Sequence, residues 1–314
     1  MKAFIAGLII ASSFNSVLLA QPYAFITNQG DDTVSVIDTH SDEVIKTLTV
    51  ASGPAGVAVN ITGNSCFISS PDAATISVID SQTLSVSHTF TSGSGPLGIA
   101  ISSDDKHLYV VDWYEGMLRI YNSEDYQLLH EIKVGKSPAG IVTHPNGQSL
   151  YIANRDDDSL SVIDLTKFKV VNTIKLGHKP FGLALSYSGK WLFSANVGSD
   201  SVSVIDTVTL NEVIQLQTGS SPYAVTTSID DKHLIVSNQK DDSISLFDIG
   251  SWQARGRIAV GTFPEGLSAH PDGKRLYVSS WFDNEVYVLD TVEFKLIKRI
   301  ATGNGSRAFG RFIR

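Results

Sequence analysis

A single cysteine, Cys66, is present in 314 residues, so no intramolecular disulfide can form and the fold must stand on packing. The Cys-x-x-Cys-His attachment of a c-type haem and the cysteine clusters of structural zinc sites are excluded with it. No Gly-x-Ser-x-Gly nucleophile elbow and no glycine-rich phosphate loop occurs. Charged residues make up only 18%, and 24 basic against 32 acidic side chains leave a formal net charge of −8. That balance argues against nucleic acid or an anionic membrane as partner, since either calls for a basic patch. Past the N-terminus no apolar run approaches the roughly 18 residues of a membrane-spanning helix.

What the chain does have is short apolar runs, rich in Val, Ile and Leu, punctuated by Gly, Asp, Asn and Pro. The first 20 residues differ. Lys2 precedes a tract from Ala3 to Leu19 that is apolar apart from Ser12, Ser13, Asn15 and Ser16, and Gln21-Pro22 follows Ala20. This reads as a signal peptide over 1–20, leaving a mature chain of 21–314 that is exported.

An internal repeat decides the architecture. Phe25-Ile26-Thr27-Asn28 recurs as Phe67-Ile68-Ser69-Ser70, Tyr109-Val110-Val111-Asp112 and Tyr151-Ile152-Ala153-Asn154, then as Phe193-Ser194-Ala195-Asn196, Ile235-Val236-Ser237-Asn238 and Tyr277-Val278-Ser279-Ser280. Each copy lies 42 residues after the last. Asp38, Asp80, Asn122, Asp164, Asp206, Asp248 and Asp290 keep the same period, as do prolines 54, 96, 138, 180, 222 and 264, with Ser306 in the seventh copy. Every unit holds four short runs bounded by turn residues, the pattern of antiparallel strands, and four strands in about 42 residues is the period of a propeller blade. The expected fold is all-β: a seven-bladed β-propeller with four antiparallel strands per blade. The phase of the repeat predicts closure by one C-terminal inner strand, Arg307–Ile313, joined to three N-terminal strands, which removes both free edges. The polar Ser41–Asp42 reads as a dispensable outer turn.

Ile152-Ala153-Asn154, Ser161-Val162-Ile163-Asp164 and Gly177-His178-Lys179-Pro180-Phe181-Gly182 carry a family likeness. The chain resembles the YVTN family of β-propeller repeat proteins over residues 23–314. The resemblance implies a bacterial or archaeal exported or surface protein; in a bacterium that places it in the periplasm, on the cell surface or in the medium. It assigns no activity, and a propeller serves many functions.

Departures from the repeat mark the candidate site. In the loop after the first repeated strand, two copies carry aromatic pairs, Trp113-Tyr114 and Trp281-Phe282, expected nearly across the channel from one another. Exposed loop aromatics are favoured binding elements, and they also serve as caps on the blade beneath. The residue after each proline, expected at the channel mouth, runs Ala55, Leu97, Ala139, Phe181, Tyr223, Glu265 and Arg307. With His178 and Phe263, the last four suggest an amphipathic pocket; a channel plug with a Glu265–Arg307 ion pair is the simpler reading. Asp31-Asp32, Asp156-Asp157-Asp158 and Asp241-Asp242 lack the alternating carboxylates of a calcium loop and read as turns. Cys66 reads as a buried thiol.

The expected function is non-catalytic: a binding or scaffold protein that holds a protein, peptide or glycan on the Trp113 and Trp281 face, with no cofactor and no metal. The alternative is an enzyme like the lactonase or lyase propellers, with Glu265, His178 and Tyr223 as acid–base candidates at the channel mouth.

Overall fold

The structure, a computed structural model, describes residues 23–313; the expected signal peptide lies outside the described residues. Seven sheets form the ring. Each of the five four-stranded blades runs outward from a strand that begins at its proline, as in Pro138–Thr143, Ser149–Asn154, Ser159–Asp164 and Lys169–Lys175, with every neighbour antiparallel. The outermost strand carries a bulge against its partner at the same repeat position in each blade, for example between Val162 and Ile163. Helix among the described residues is limited to two single 3-10 turns, Arg155–Asp157 and Gln239–Asp241, and none could cross a membrane.

The first three strands, β1 (Tyr23–Asn28), β2 (Thr33–Asp38) and β3 (Glu43–Thr49), form a sheet that lacks its own inner strand; β4 (Gly56–Val59) opens the next blade. The C-terminal segment fills the gap. Ser306 pairs with Asn28 and Ile313 with Ala24, both antiparallel, and Phe25 N donates to Phe312 O at 3.0 Å. Between those points the segment swings away, and Phe309–Arg311 pairs parallel with β4. The ring therefore closes as the repeat phase predicts, except that its last inner strand is shared between two blades.

The repeated quartet explains itself in hydrogen bonds. Where its fourth residue is Asn, that side chain ties the blade together from inside. Asn28 Nδ2 donates to Thr33 Oγ1 and Ser35 Oγ, each at 2.9 Å, while its Oδ1 accepts from Gly303 N at 3.1 Å. Asn154 and Asn238 repeat this with Ser159, Ser161 and Gly135 and with Ser243, Ser245 and Gly219. The third residue stitches blade to blade: Thr27 donates to Ala55 O, Ser69 to Leu97 O and Ser237 to Glu265 O. Buried polar groups left unpaired are costly, so these side chains are fixed by structure.

Blades also meet at the glycine two residues after the proline. A Cβ on Gly98 would lie 1.8 Å from Ala139 O of the next blade, a distance no side chain tolerates. The paired aspartates are turns, as expected. Asp32, Asp158, Asp200, Asp242 and Asn284 all have positive φ, and each accepts a backbone N–H from the proline loop of the following unit, such as Lys179 N to Asp158 Oδ1 at 2.8 Å. Ser41–Asp42 is the exception to a simple reading. Asp42 is buried, its carboxylate bonded to Arg275 and the Tyr277 hydroxyl of the preceding blade, so it is not a dispensable turn.

Candidate functional site

Two columns of the repeat converge at the loop end of the channel. One is the residue after each proline; the other is the residue after each quartet, which runs Gln29, Pro71, Trp113, Arg155, Val197, Gln239 and Trp281. Ala55, Leu97, Ala139, Phe181, Tyr223 and Glu265 are all buried. They plug the channel here.

One side of this cap is aromatic. Phe181 and Tyr223 pack as a tilted pair with 4.3 Å between ring centroids, and Phe309 of the C-terminal segment packs 4.9 Å from Phe181. Trp113 leans onto Phe181 at 6.1 Å, with the Arg155 guanidinium over its own ring at 5.7 Å. Aromatic pairs at such separations add about 0.5–1.5 kcal/mol each beyond their burial.

The other side is polar. Arg307 Nη1 donates to Gln29 Oε1 at 2.9 Å and Nη2 to the Tyr223 hydroxyl, and Gln239 Nε2 donates to Glu265 Oε1 at 2.7 Å. Arg307 also lies over the Trp281 ring at 5.5 Å. Its Nε sits 3.1 Å from Glu265 Oε2, yet the two are not aligned for a hydrogen bond, so each lacks a directed partner. Charge attraction acts between them only when Glu265 is ionised. Burial pushes the Glu265 carboxyl up to about 7, against the opposing pull of Arg307 and Gln239. Burial likewise raises the Tyr223 phenol. Burial disfavours the Arg307 charge, but Tyr223 and Glu265 outweigh it, so the guanidinium stays protonated. Gln29 and Gln239 escape a sequence reading because glutamine resembles ordinary turn polarity; their signal was the column they share with Trp113 and Trp281.

Trp113, Phe181, Tyr223, Arg307 and Trp281 thus form one connected chain of contacts across the mouth, with Glu265 joined to it through Arg307. Tyr114 and Phe282 project outward, 71% and 63% exposed, and Phe263 packs against Phe282 at 5.2 Å. His178 stands apart, exposed, with Nδ1 2.9 Å from Asp158 Oδ2. Cys66 is fully buried, and burial raises its thiol. Among the described residues no three His, Cys, Asp or Glu side chains converge on a point where a metal ion would sit.

A raised carboxyl makes stability depend on pH with a definite sign. Between the ordinary value of 4.5 and about 7, the folded state holds a proton at Glu265 that the unfolded state releases. The contribution is complete below 4.5 and lost as pH rises through 7, a change on the order of 3 kcal/mol. Melting temperature is expected to fall over that interval in the native protein and to fall less in Glu265→Gln. Equal pH slopes in the two proteins would show that Glu265 is ionised throughout.

Residues 17–148 and 145–311 match the YNCE-like beta-propeller family. The chain belongs to that family. Among solved structures, this YNCE-like propeller is similar to Kuenenia stuttgartiensis hydrazine synthase, with a TM-score of 0.74 and 22% identity over 81% of this chain and 88% of that one. A functionally unknown protein from Desulfotomaculum acetoxidans gives 0.79 at 16% identity, covering 92% and 99%. The dihydro-heme d1 dehydrogenase NirN gives 0.69 at 16% identity, covering 96% and 76%. At such identities the likeness shows the fold alone. No curated protein matches the sequence.

Proposed function

We propose that this propeller is an exported binding or scaffold protein whose loop face, carrying Trp113 and Trp281, holds a protein, peptide or glycan. The observation that carries the reading is the pair of exposed rings, Tyr114 and Phe282, each beside a half-buried tryptophan seated on a packed cap. A rigid floor with projecting aromatics offers stacking surface at little entropic cost. Ser and Asp would make equally good turns there, so the rings need a reason beyond local folding. Residues 1–20 support export.

The test is partner capture from a bacterial envelope extract and from a glycan array, using protein recovered from the envelope. Its intact mass reports whether 1–20 has been removed. Tyr114→Ser with Phe282→Ser is expected to weaken capture by about 2 kcal/mol, near thirtyfold, with melting unchanged. Asn146→Ala with Asp272→Ala, on the opposite face, should leave capture intact. Full capture by the aromatic variant would move the binding face elsewhere.

The enzyme reading keeps one supporting observation: Glu265 titrates near neutrality and Arg307 links it to Tyr223. Against it, both acid–base groups are buried within the cap, and His178 does not join them. Glu265→Gln separates the readings, because it abolishes turnover in an enzyme and spares capture in a scaffold.

A further inference from the structure

The channel is closed at one end only. Beyond the cap a cavity of about 520 Å³ runs between the inner strands and opens on the face that carries the His144 hairpin. Its cause is visible in the repeat. The residue four places after each proline is never large, running Ala58, Ala100, Val142, Ala184, Thr226, Ser268 and, in the seventh copy, Gly310, whereas the residue one place after the proline is bulky in the later copies. Side chains that fill the loop end are therefore matched by too little volume at the other.

The walls are mainly apolar, formed by residues such as Ile99, Ile141, Leu183, Val225 and Leu267, with the hydroxyl residues Thr143, Thr226, Thr227 and Ser268 also at the lining. Among the described residues that line the cavity, Arg311 alone carries a formal charge. Arg311 is exposed and, among the described residues, makes no side-chain ion pair or hydrogen bond. His144, also at the lining, is occupied on both nitrogens: Nε2 meets Gly189 O at 3.1 Å and Nδ1 accepts from Asn146 N at 3.1 Å. In a chain of net charge −8, one free cation at the lip of an apolar hole is a specific feature. The volume lies in the range of small-molecule sites, about 300–1,000 Å³, and an apolar chain displaces water that such walls hydrate poorly.

We propose that this cavity binds a free single-chain amphiphile with a carboxylate head, its tail between the inner strands and its carboxylate at Arg311. This site is independent of the loop face. One straight channel ringed by strands suits one acyl chain and excludes a two-chain lipid. A guanidinium with unused donors suits a carboxylate, which it binds through paired charged hydrogen bonds.

The experiment titrates the whole mature protein with the fluorescent acid dansylundecanoate and displaces it with dodecanoate or dodecanol. Saturable one-to-one uptake is expected, with dodecanol displacing the probe about tenfold less well than dodecanoate. Arg311→Ala, at an exposed position, should fold normally and bring the acid down to the level of the alcohol. Ala184→Phe, which places a ring in the cavity, should abolish uptake; if it fails to fold, Arg311→Ala still decides the case. Tyr114→Ser with Phe282→Ser should leave uptake unchanged. The proposal is overturned by unsaturable uptake, by equal displacement with acid and alcohol, by uptake that Arg311→Ala leaves untouched, or by loss in the loop-face variant.

Discussion

A chain ending at Ser306 is expected to have no folded state at ordinary temperature. The missing segment supplies the inner strand of the blade begun by β1, β2 and β3. Arg307 N donates to Thr27 O at 2.9 Å, Ala308 N to Thr27 Oγ1 at 2.9 Å, and Phe309 N to Ala55 O at 3.1 Å. Phe312 and Ile313 are buried against Ala24, Phe25 and Ile26. Truncating one buried Phe or Ile to Ala costs about 2–5 kcal/mol, and this deletion removes Phe309, Phe312 and Ile313 together. That loss is comparable to the whole stability of a typical protein, about 5–15 kcal/mol. It also bares the edge of β1, a template for pairing with other chains. Calorimetry should show no cooperative transition, and size exclusion should show aggregate. Phe312→Ala grades the effect, with an expected cost of about 3–5 kcal/mol and a single transition retained. A truncated protein that melts like the full chain would mean that the ring does not depend on its last strand.

Blade number, strand count and the partners in closure were legible because a constant 42-residue period leaves a folded ring few alternatives. The turn role of Asp32, Asp158 and Asp200 was legible for the same reason: the column repeats, and a positive φ is tolerated there by Asp and Asn. The detour of Phe309–Arg311 onto β4 was not, because it depends on how tightly the last inner strand fits between two blades. Nor was the burial of Asp42, whose partners Arg275 and Tyr277 lie more than 230 residues away in sequence. The loop-end plug with its Glu265–Arg307 pair follows from reading bulky and charged residues down one column. The cavity at the other end was hidden by the assumption that inner strands fill their channel; the absence of any large residue in the column from Ala58 to Gly310 was the signal against it.

The third blade offers a test of the hydrogen-bond logic, with an expected effect second only to loss of the C-terminal strand. Where four other copies have Asn followed by Ser seven residues on, as at Asn154 and Ser161, this one has the buried Asp112 and Arg119. Arg119 Nη1 meets Asp112 Oδ2 at 3.0 Å, and Arg119 also binds Glu115 and Glu131. Asp112 accepts backbone N–H groups from Ser94, Gly95, Tyr114 and Glu115 as well. Burial alone would raise its carboxyl, but the donors of Glu115, Gly95 and Ser94, with Arg119, hold it below the ordinary value. An ion pair has replaced the neutral Asn–Ser pair found at Asn28, Asn154, Asn196 and Asn238. Arg119→Ser leaves a buried carboxylate without its counter-charge, and Asp112→Asn sets an amide beside a buried guanidinium. Each single change is expected to cost about 3 kcal/mol, in the range for breaking a buried pair. The double variant restores the pairing seen at Asn154 with Ser161 and should cost far less than the sum, giving a coupling of about 2–3 kcal/mol. The partly exposed Glu115 and Glu131 lose a partner in every Arg119 variant, but such contacts contribute little. Denaturant unfolding of the four proteins measures the cycle. Strictly additive losses would mean that Asp112 is held by its backbone donors alone and that Arg119 serves only the surface carboxylates.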